Sequence, residues 1–176
     1  MKYIVCEKPH EFLLKEKLMP VRKEGEVLLK IKKIGVCGTD IHAYGGTQPY
    51  FEYPRILGHE LAAEYIEGDV EGFKIGDKVT FIPYFHCGQC VACRNGLTNC
   101  CANIKVFGVH IDGGMAQYVT VPQHYLLHGQ GLDYDELALV EPLAIAAHGV
   151  RRADVKSSDT VLVMGAGPIG IGLIQF

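Results

Sequence analysis

The chain has 176 residues, of which 48% are hydrophobic and 21% charged, a balance typical of a globular domain with enough apolar surface for a core. Lysine and arginine number 17 against 20 acidic residues, for a formal net charge of -3, and no basic run or stripe occurs. The sequence therefore lacks the electrostatic signature of a nucleic-acid-binding protein, and no nucleic-acid partner is expected.

No targeting or membrane segment is predicted. The first residues lack the long apolar segment and small-residue cleavage site of a signal peptide. Residues 160–176 carry no charge, but this stretch of 17 is interrupted by glycines and a proline. It is also shorter than the roughly 20 apolar residues of a spanning helix. With seven cysteines, an odd and clustered set, the sequence favours metal binding in a reducing, cytoplasmic compartment.

Alternating and short apolar segments predict that residues 1–135 are rich in β-strands. Val27, Leu29 and Ile31 alternate with more polar neighbours, the period expected of a half-buried strand. Glycine-rich turns separate the candidate strands, a pattern typical of a barrel or sandwich. The other predicted strands are Tyr3–Cys6, Leu61–Glu67, Lys78–Ile82 and Met115–Val121.

Four cysteines have the spacing Cys87-x2-Cys90-x2-Cys93-x7-Cys101. Structural zinc sites bind four thiolates in a closed tetrahedron, and two-residue gaps let a looped backbone turn successive sulfurs toward one point. Because Cys100 precedes Cys101, the spacing leaves the fourth ligand open between these two. Buried apolar cysteines or a redox pair are the alternatives, which the clustering and the absence of a thioredoxin-like helix pattern disfavour.

The sequence changes character near residue 134. Residues 135–150 predict a helix interrupted at Pro142. A polar stretch follows, and then residues 160–164 predict a strand that leads into Gly-x-Gly-x-x-Gly. We place a domain boundary between Leu143 and Ser157, which gives predicted units of residues 1–148 and 149–176.

Three separate segments offer ligands for a second metal ion. Cys37 follows the strand predicted around residue 29, His59 and Glu60 are adjacent, and Glu141 lies in the predicted helix. Each residue alone is more often a buried thiol, a hydrogen-bonded histidine or a solvated charge. Together they supply the mixed sulfur, nitrogen and oxygen ligands of a catalytic zinc, which uses three protein ligands and leaves one position open.

The order of these motifs resembles that of the zinc-dependent medium-chain alcohol and polyol dehydrogenases over nearly the whole chain. The resemblance rests on Cys-Gly-Thr-Asp-x-His at 37–42, Gly-His-Glu at 58–60, the four-cysteine segment, Glu141 and the glycine motif at 165–170. A glutamate at 141 is more similar to the sorbitol, threonine and L-galactonate 5-dehydrogenase branch. The resemblance implies a mainly β, GroES-like, partly open barrel followed by the first βα element of a truncated Rossmann domain.

The resemblance also implies two zinc ions per chain, one catalytic and one structural. Cys37 and His59 would bind the catalytic ion, with Glu60 and Glu141 as alternatives for the third protein ligand. The glutamate that is not a ligand would hold the zinc-bound water. In the structural site, the resemblance makes Cys101 the fourth ligand and Cys100 the bystander.

In the resembled enzymes, zinc activates an alcohol and a hydride passes to a nicotinamide cofactor. Thr39 would take the substrate proton and His42 would relay it to solvent, although His42 can also be read as an exposed loop residue. Residues 106–118 are similar to dehydrogenases of sugar acids such as L-galactonate or L-gulonate, so the expected partner is a small secondary alcohol. The parent enzymes are commonly dimers or tetramers.

The glycines Gly165, Gly167 and Gly170 would hold the pyrophosphate of NAD or NADP at a helix N-terminus. The acidic residue expected about 20 positions further on does not occur in this chain. We therefore expect an inactive fragment that binds zinc. The alternatives are a non-catalytic GroES-like module with one zinc, and a zinc-free reductase, which the intact ligand residues disfavour.

Overall fold

The structure is a computed structural model that describes residues 1–49 and 51–176. Its strands and helices, in chain order, are β1 Lys2–Lys8, β2 Glu11–Glu16, β3 Glu26–Gly35, α1 Gly38–Gly45, β4 Glu60–Glu67, β5 Lys78–Phe81, β6 Tyr84–Phe85, α2 Val91–Arg94, β7 Lys105–Val106, β8 Tyr118–Pro122, β9 Leu126–His128, α3 Tyr134–Ala138, α4 Val140–Ala153 and α5 Pro168–Gln175.

The mainly β organisation predicted from the sequence is confirmed. The central sheet has five antiparallel strands in the order β8-β3-β4-β5-β9. β1 pairs with β2, and β6 pairs with β7, as separate two-stranded sheets. The sheets are open, and within residues 1–49 and 51–176 they do not close into a barrel.

The main core lies against one face of the central sheet. Val27 and Leu29 of β3 are fully buried in it, as the alternating pattern predicts. Leu28, expected on the polar face, is buried as well, so β3 is covered on both sides at this point. The other buried residues of the main core are Leu61, Ala63, Tyr65, Val79, Phe81, Phe107, Ala116, Val119, Val121, Tyr125 and Leu126.

The predicted strands match β1, β4 and β5 closely, but the one predicted at Met115–Val121 begins only at Tyr118. The residues before it bend instead, and the Met115 N–H donates to the Leu57 carbonyl at 2.9 Å. Four strands were not predicted: β2, β6, β7 and β9. The last three have only two or three residues, too few to show a period.

The predicted helix at 135–150 is present as two helices, α3 and α4, but the predicted position of its interruption is wrong. The break falls at Leu139. Pro142 is the third residue of α4, where its missing N–H is one of the four that a helix start leaves unpaired. None of the helices in the described part of the chain has both the length and the apolarity to traverse a bilayer.

The strand predicted at Thr160–Met164 is not formed. A strand needs a neighbour to pair its backbone groups, and the described residues provide none beside this segment. Val161, Leu162 and Met164 are correspondingly exposed. α5 does form, and Gly172 packs it closely against Ala146 of α4. Since α4 runs through residue 148 and contacts both β4 and α5, one helix joins the two predicted units.

Candidate metal centre

Cys37 and His59 come from separate segments that one buried carboxylate holds together. Cys37 is the N-cap of α1, two residues after the end of β3. Asp40 accepts a hydrogen bond from the Cys37 N–H at 3.0 Å and, through its other oxygen, one from the Gly58 N–H at 3.2 Å. Because Asp40 is buried, these contacts tie the start of α1 to the residue that precedes His59.

Glu60 opens β4 and reaches the same region from the opposite strand. It is paired with Gly35, the last residue of β3. A β-carbon at Gly35 would collide with Glu60 Oε2 and lie 2.8 Å from the Glu60 β-carbon. The absence of a side chain at residue 35 therefore makes the space that the Glu60 carboxylate occupies.

The structure brings Cys37, His59 and Glu60 together as one group. One ligand atom from each of the three lies within 4.8 Å of the others. His59 and Glu60 are buried, and Cys37 is partly buried. The Cys37 sulfur is 3.6 Å from the hydroxyl oxygen of Thr39.

Glu141 lies outside this group of ligand atoms, although it is buried nearby in the first turn of α4. Its Oε1 accepts a hydrogen bond from the hydroxyl of Tyr84 on β6. Sequence reasoning missed Tyr84, since its partner is 57 positions away and no motif includes it. The two candidate third ligands are thus in different environments.

The electrostatics of the group reflect its burial and mutual contacts. The hydrogen bond with His59 lowers the pKa of the Cys37 thiol. Burial lowers the pKa of His59, but contact with Cys37 and the charges of Asp40 and Glu141 outweigh it and raise the pKa overall. For Glu60, burial and then the Glu141 charge raise the carboxyl pKa. A cation at this point would stabilise the anionic forms of these side chains.

The donor set fits zinc. One sulfur, one imidazole nitrogen and one carboxylate oxygen are the ligand types of a catalytic zinc with an open fourth position. His59 Nδ1 is fully shielded from solvent and has no hydrogen-bond partner among the described residues. A buried polar atom of this kind calls for a partner that the described side chains do not supply.

Thr39 and His42 lie three residues apart on α1, which puts them on one side of the helix. Thr39 is partly buried beside Cys37, and His42 is exposed. The His42 ring is hydrogen-bonded through Nδ1 to the Thr47 hydroxyl at 3.1 Å. The two residues thus span the distance from the metal group to solvent, with His42 turned toward Thr47.

The four cysteines of the predicted structural site also converge. The sulfurs of Cys87, Cys90, Cys93 and Cys101 lie within 4.8 Å of one another, and those of Cys90 and Cys93 are 3.5 Å apart. Cys100 is exposed and outside the group. A 3-10 helix at Thr98–Cys100 turns the chain so that only the second of the adjacent cysteines faces the cluster.

Backbone amides already favour thiolates in this cluster. The N–H groups of Cys93 and Ala102 lower the pKa of the Cys90 thiol to about 6. Desolvation and the neighbouring thiols raise the pKa of Cys93. Four adjacent thiolates repel one another, so only a cation can hold them all deprotonated.

The glycine motif forms a turn that leads into a helix. Gly165 has a left-handed backbone with φ of 102°, and Gly167 is the N-cap of α5, with Pro168 following as the first helical residue. A β-carbon at Gly170 would collide with the Gly165 carbonyl. The turn and helix of a dinucleotide motif are therefore present without the preceding strand.

Residues 106–118, which suggested a sugar-acid substrate, form a support for the His59 segment. The Gly113 N–H donates to the Ile56 carbonyl at 2.7 Å, and the Gly114 N–H donates to the Gly58 carbonyl at 2.9 Å. A β-carbon at Gly113 would lie 2.5 Å from the Gly58 carbonyl oxygen. The glycines of this segment therefore serve close backbone packing.

Comparisons with known proteins agree with the fold. Residues 23–130 match the model of the alcohol dehydrogenase GroES-like domain. The chain is 48% identical to L-galactonate-5-dehydrogenase of Escherichia coli K12, over 98% of the chain and 51% of that protein. It is 43% identical to an uncharacterized zinc-type alcohol dehydrogenase-like protein of Haemophilus influenzae, over 97% of the chain and 51% of that protein.

Among solved structures, an alcohol dehydrogenase from E. coli CFT073 complexed with NADH matches with a TM-score of 0.90 and 36% identity. The match covers 99% of this chain and 52% of that one, so the chain spans about half the length of the relatives it matches. The chain therefore belongs to the zinc-type alcohol and polyol dehydrogenase family, and residues 23–130 are its GroES-like domain.

Proposed function

We propose that this chain supplies the metal centre of a zinc-dependent oxidoreductase, which transfers a hydride between a secondary alcohol and a nicotinamide cofactor. The observation that carries the proposal is the convergence of Cys37, His59 and Glu60, whose ligand atoms lie within 4.8 Å of one another. A purely structural site is closed by four protein ligands, whereas this group of three leaves a position for a substrate oxygen.

In this proposal Cys37, His59 and Glu60 hold the catalytic zinc, and Cys87, Cys90, Cys93 and Cys101 hold a structural one. When bound, the catalytic zinc would polarise the substrate oxygen and lower its pKa. The chain's own side chains then manage the proton. Thr39 accepts it from the substrate hydroxyl and releases its own hydroxyl proton toward His42. His42 would pass that proton outward, because it is on the same helix face and exposed.

The cofactor would be bound by the turn at 165–170. Gly165, Gly167 and Gly170 allow the backbone to approach a pyrophosphate closely at the start of α5. The NADH complex of the relative supports a nicotinamide cofactor. Residues 1–148 would then be the zinc-binding unit and residues 149–176 the beginning of the dinucleotide-binding unit. The ribose and nicotinamide contacts would require additional chain, so the 176 residues alone are expected to bind zinc without turnover.

The preferred substrate class is a sugar acid oxidised at a secondary hydroxyl, such as L-galactonate or L-gulonate. Two observations support it. Residues 106–118 are similar to the corresponding segment of sugar-acid dehydrogenases, and the relative that is 48% identical is named L-galactonate-5-dehydrogenase.

The test is a chimera in which this chain is continued by the remaining half of the E. coli L-galactonate-5-dehydrogenase. We expect NAD- or NADP-dependent oxidation of a hexonate from a panel of hexonates, polyols and threonine. The matched Cys37→Ser chimera should lose the activity while keeping its structural zinc. A folded chimera with two zinc ions and no activity on any alcohol in the panel would refute the proposed function, and activity on polyols only would refute the sugar-acid substrate.

A further inference from the structure

We propose that Tyr84 is a positioning residue that keeps Glu141 out of the catalytic zinc's ligand set. Glu60 is thereby the third protein ligand, and the fourth position stays free for substrate. The inference rests on the proposed function, because it requires a metal ion at Cys37, His59 and Glu60.

The two glutamates compete for one place. Both are buried, and both are close enough to His59 and to each other for their charges to interact. A carboxylate is an ordinary zinc ligand, so burial and charge alone do not distinguish Glu60 from Glu141. Their contacts with the rest of the chain do.

The backbone pairing of Glu60 places its carboxylate beside the Cys37 and His59 ligand atoms. Its carboxylate occupies the space above Gly35, on the strand that leads to Cys37, and one of its oxygens lies within 4.8 Å of the Cys37 and His59 ligand atoms. The β3–β4 register pairs Glu60 with Gly35 and so fixes this position from the backbone.

Glu141 is restrained by Tyr84, which is not part of the ligand group. The Tyr84 hydroxyl donates to its Oε1, and the Tyr84 backbone is fixed because β6 pairs it with Val106 of β7. A tyrosine side chain has few rotamers and presents its donor from a rigid ring, so the hydrogen bond restrains the carboxylate strongly. Loss of that one hydroxyl would leave Glu141 buried, unpaired and free to turn toward a cation.

The test is a rescue experiment in the 176-residue chain, measured by zinc competition with a chromophoric chelator. The affinity of interest is that of the zinc site that Cys37→Ser abolishes. Glu60→Gln should weaken this zinc by at least about 10–100-fold, the loss seen when only an outer-shell partner of a zinc ligand is removed. Adding Tyr84→Phe should recover several-fold of that loss, because Glu141 is released to replace Glu60.

Two controls accompany the double variant. Tyr65→Phe in the Glu60→Gln background removes a hydroxyl from the main core instead of the one bonded to Glu141, and should recover nothing. The intense charge-transfer absorption of Co²⁺ in the four-thiolate site reports whether each variant is folded. If a folded Glu60→Gln/Tyr84→Phe variant binds no more tightly than Glu60→Gln, the positioning role of Tyr84 is overturned.

If the double variant loses the four-thiolate signal and is therefore unfolded, the Tyr84→Phe single variant tests the role of Tyr84 instead. With Co²⁺ in the Cys37 site, entry of Glu141 as an extra ligand should weaken the d–d absorption, since higher coordination gives weaker bands. An unchanged spectrum overturns the inference. Wild-type chain that holds no metal at Cys37 would instead overturn the proposed function, and this inference with it.

Discussion

The close contact between Glu60 and Gly35 determines where one carboxylate of the proposed catalytic metal site lies. Glu60 is buried although it carries a carboxylate, and the space for it exists because residue 35 has no side chain. Buried charges are costly unless paired or bound to a metal. The glycine therefore matters for where the carboxylate lies, beyond any effect on the conformation of β3.

Replacing Gly35 with alanine should displace the Glu60 carboxylate and weaken zinc at the Cys37 site. We expect a loss of about 10–100-fold in affinity for this ion, with the four-cysteine site unchanged, as measured by chelator competition. Gly38→Ala is the matched control, because a β-carbon there has no neighbour within 4 Å. Equal zinc affinity in the Gly35→Ala chain would contradict the role assigned to this glycine.

The candidate metal ligands could be identified from the sequence, whereas the contacts that distinguish one ligand from another could not. Cysteine, histidine and glutamate in recognisable motifs indicated Cys37, His59, Glu60 and Glu141, because zinc selects those side chains. The hydrogen bond from Tyr84 was not predictable, since a tyrosine after a proline is compatible with many environments. Separating the two glutamates required the three-dimensional contacts of each.

At the scale of elements, the loop before β8 supports the segment that carries His59. Its backbone N–H groups at Gly113, Gly114 and Met115 all donate to carbonyls of residues 56–58. Such a ladder needs two backbones in direct contact, which explains why glycines occur here.

Gly113→Ala should therefore destabilise the fold. The added β-carbon would lie within 2.6 Å of backbone atoms of Leu57, Gly58 and Gly108, which cannot move aside as a flexible side chain would. We expect a loss of roughly 1–3 kcal/mol, typical of overpacking, seen as a lower thermal midpoint of the zinc-loaded chain by circular dichroism.

The control for this substitution is Gly45→Ala. A β-carbon at Gly45 would have its nearest neighbour at 3.9 Å, so the same methyl group should leave the midpoint nearly unchanged. A Gly113→Ala chain as stable as the Gly45→Ala chain would mean that the loop is not tightly packed against residues 56–58.

Whether a segment forms a helix or a strand was predictable where its apolar pattern was long. The residues at which the element begins and ends were not predictable. The alternation in β3 and the helix formers after residue 134 gave the correct types. The break falls at Leu139, which ends α3 and caps α4, three residues before Pro142. Residues 160–164 have the composition of a strand, but composition cannot supply the neighbouring strand that pairing requires.

At the scale of the whole molecule, two groups of candidate metal ligands lie within the GroES-like domain of residues 23–130. The three-ligand group lies where β3, α1 and β4 meet, and the four-cysteine group lies in the segment that connects β6 and β7. The groups share no ligand and come from different elements. Each should therefore gain or lose its metal independently of the other.

Zinc content per chain tests the central claim most directly. Purified chain, dialysed free of loosely bound metal and analysed by elemental mass spectrometry, should contain two zinc ions, one for each group of ligands. The Cys37→Ser chain should contain one. A single zinc in the wild-type chain, unchanged by Cys37→Ser, would contradict the account and leave a domain whose metal is only structural.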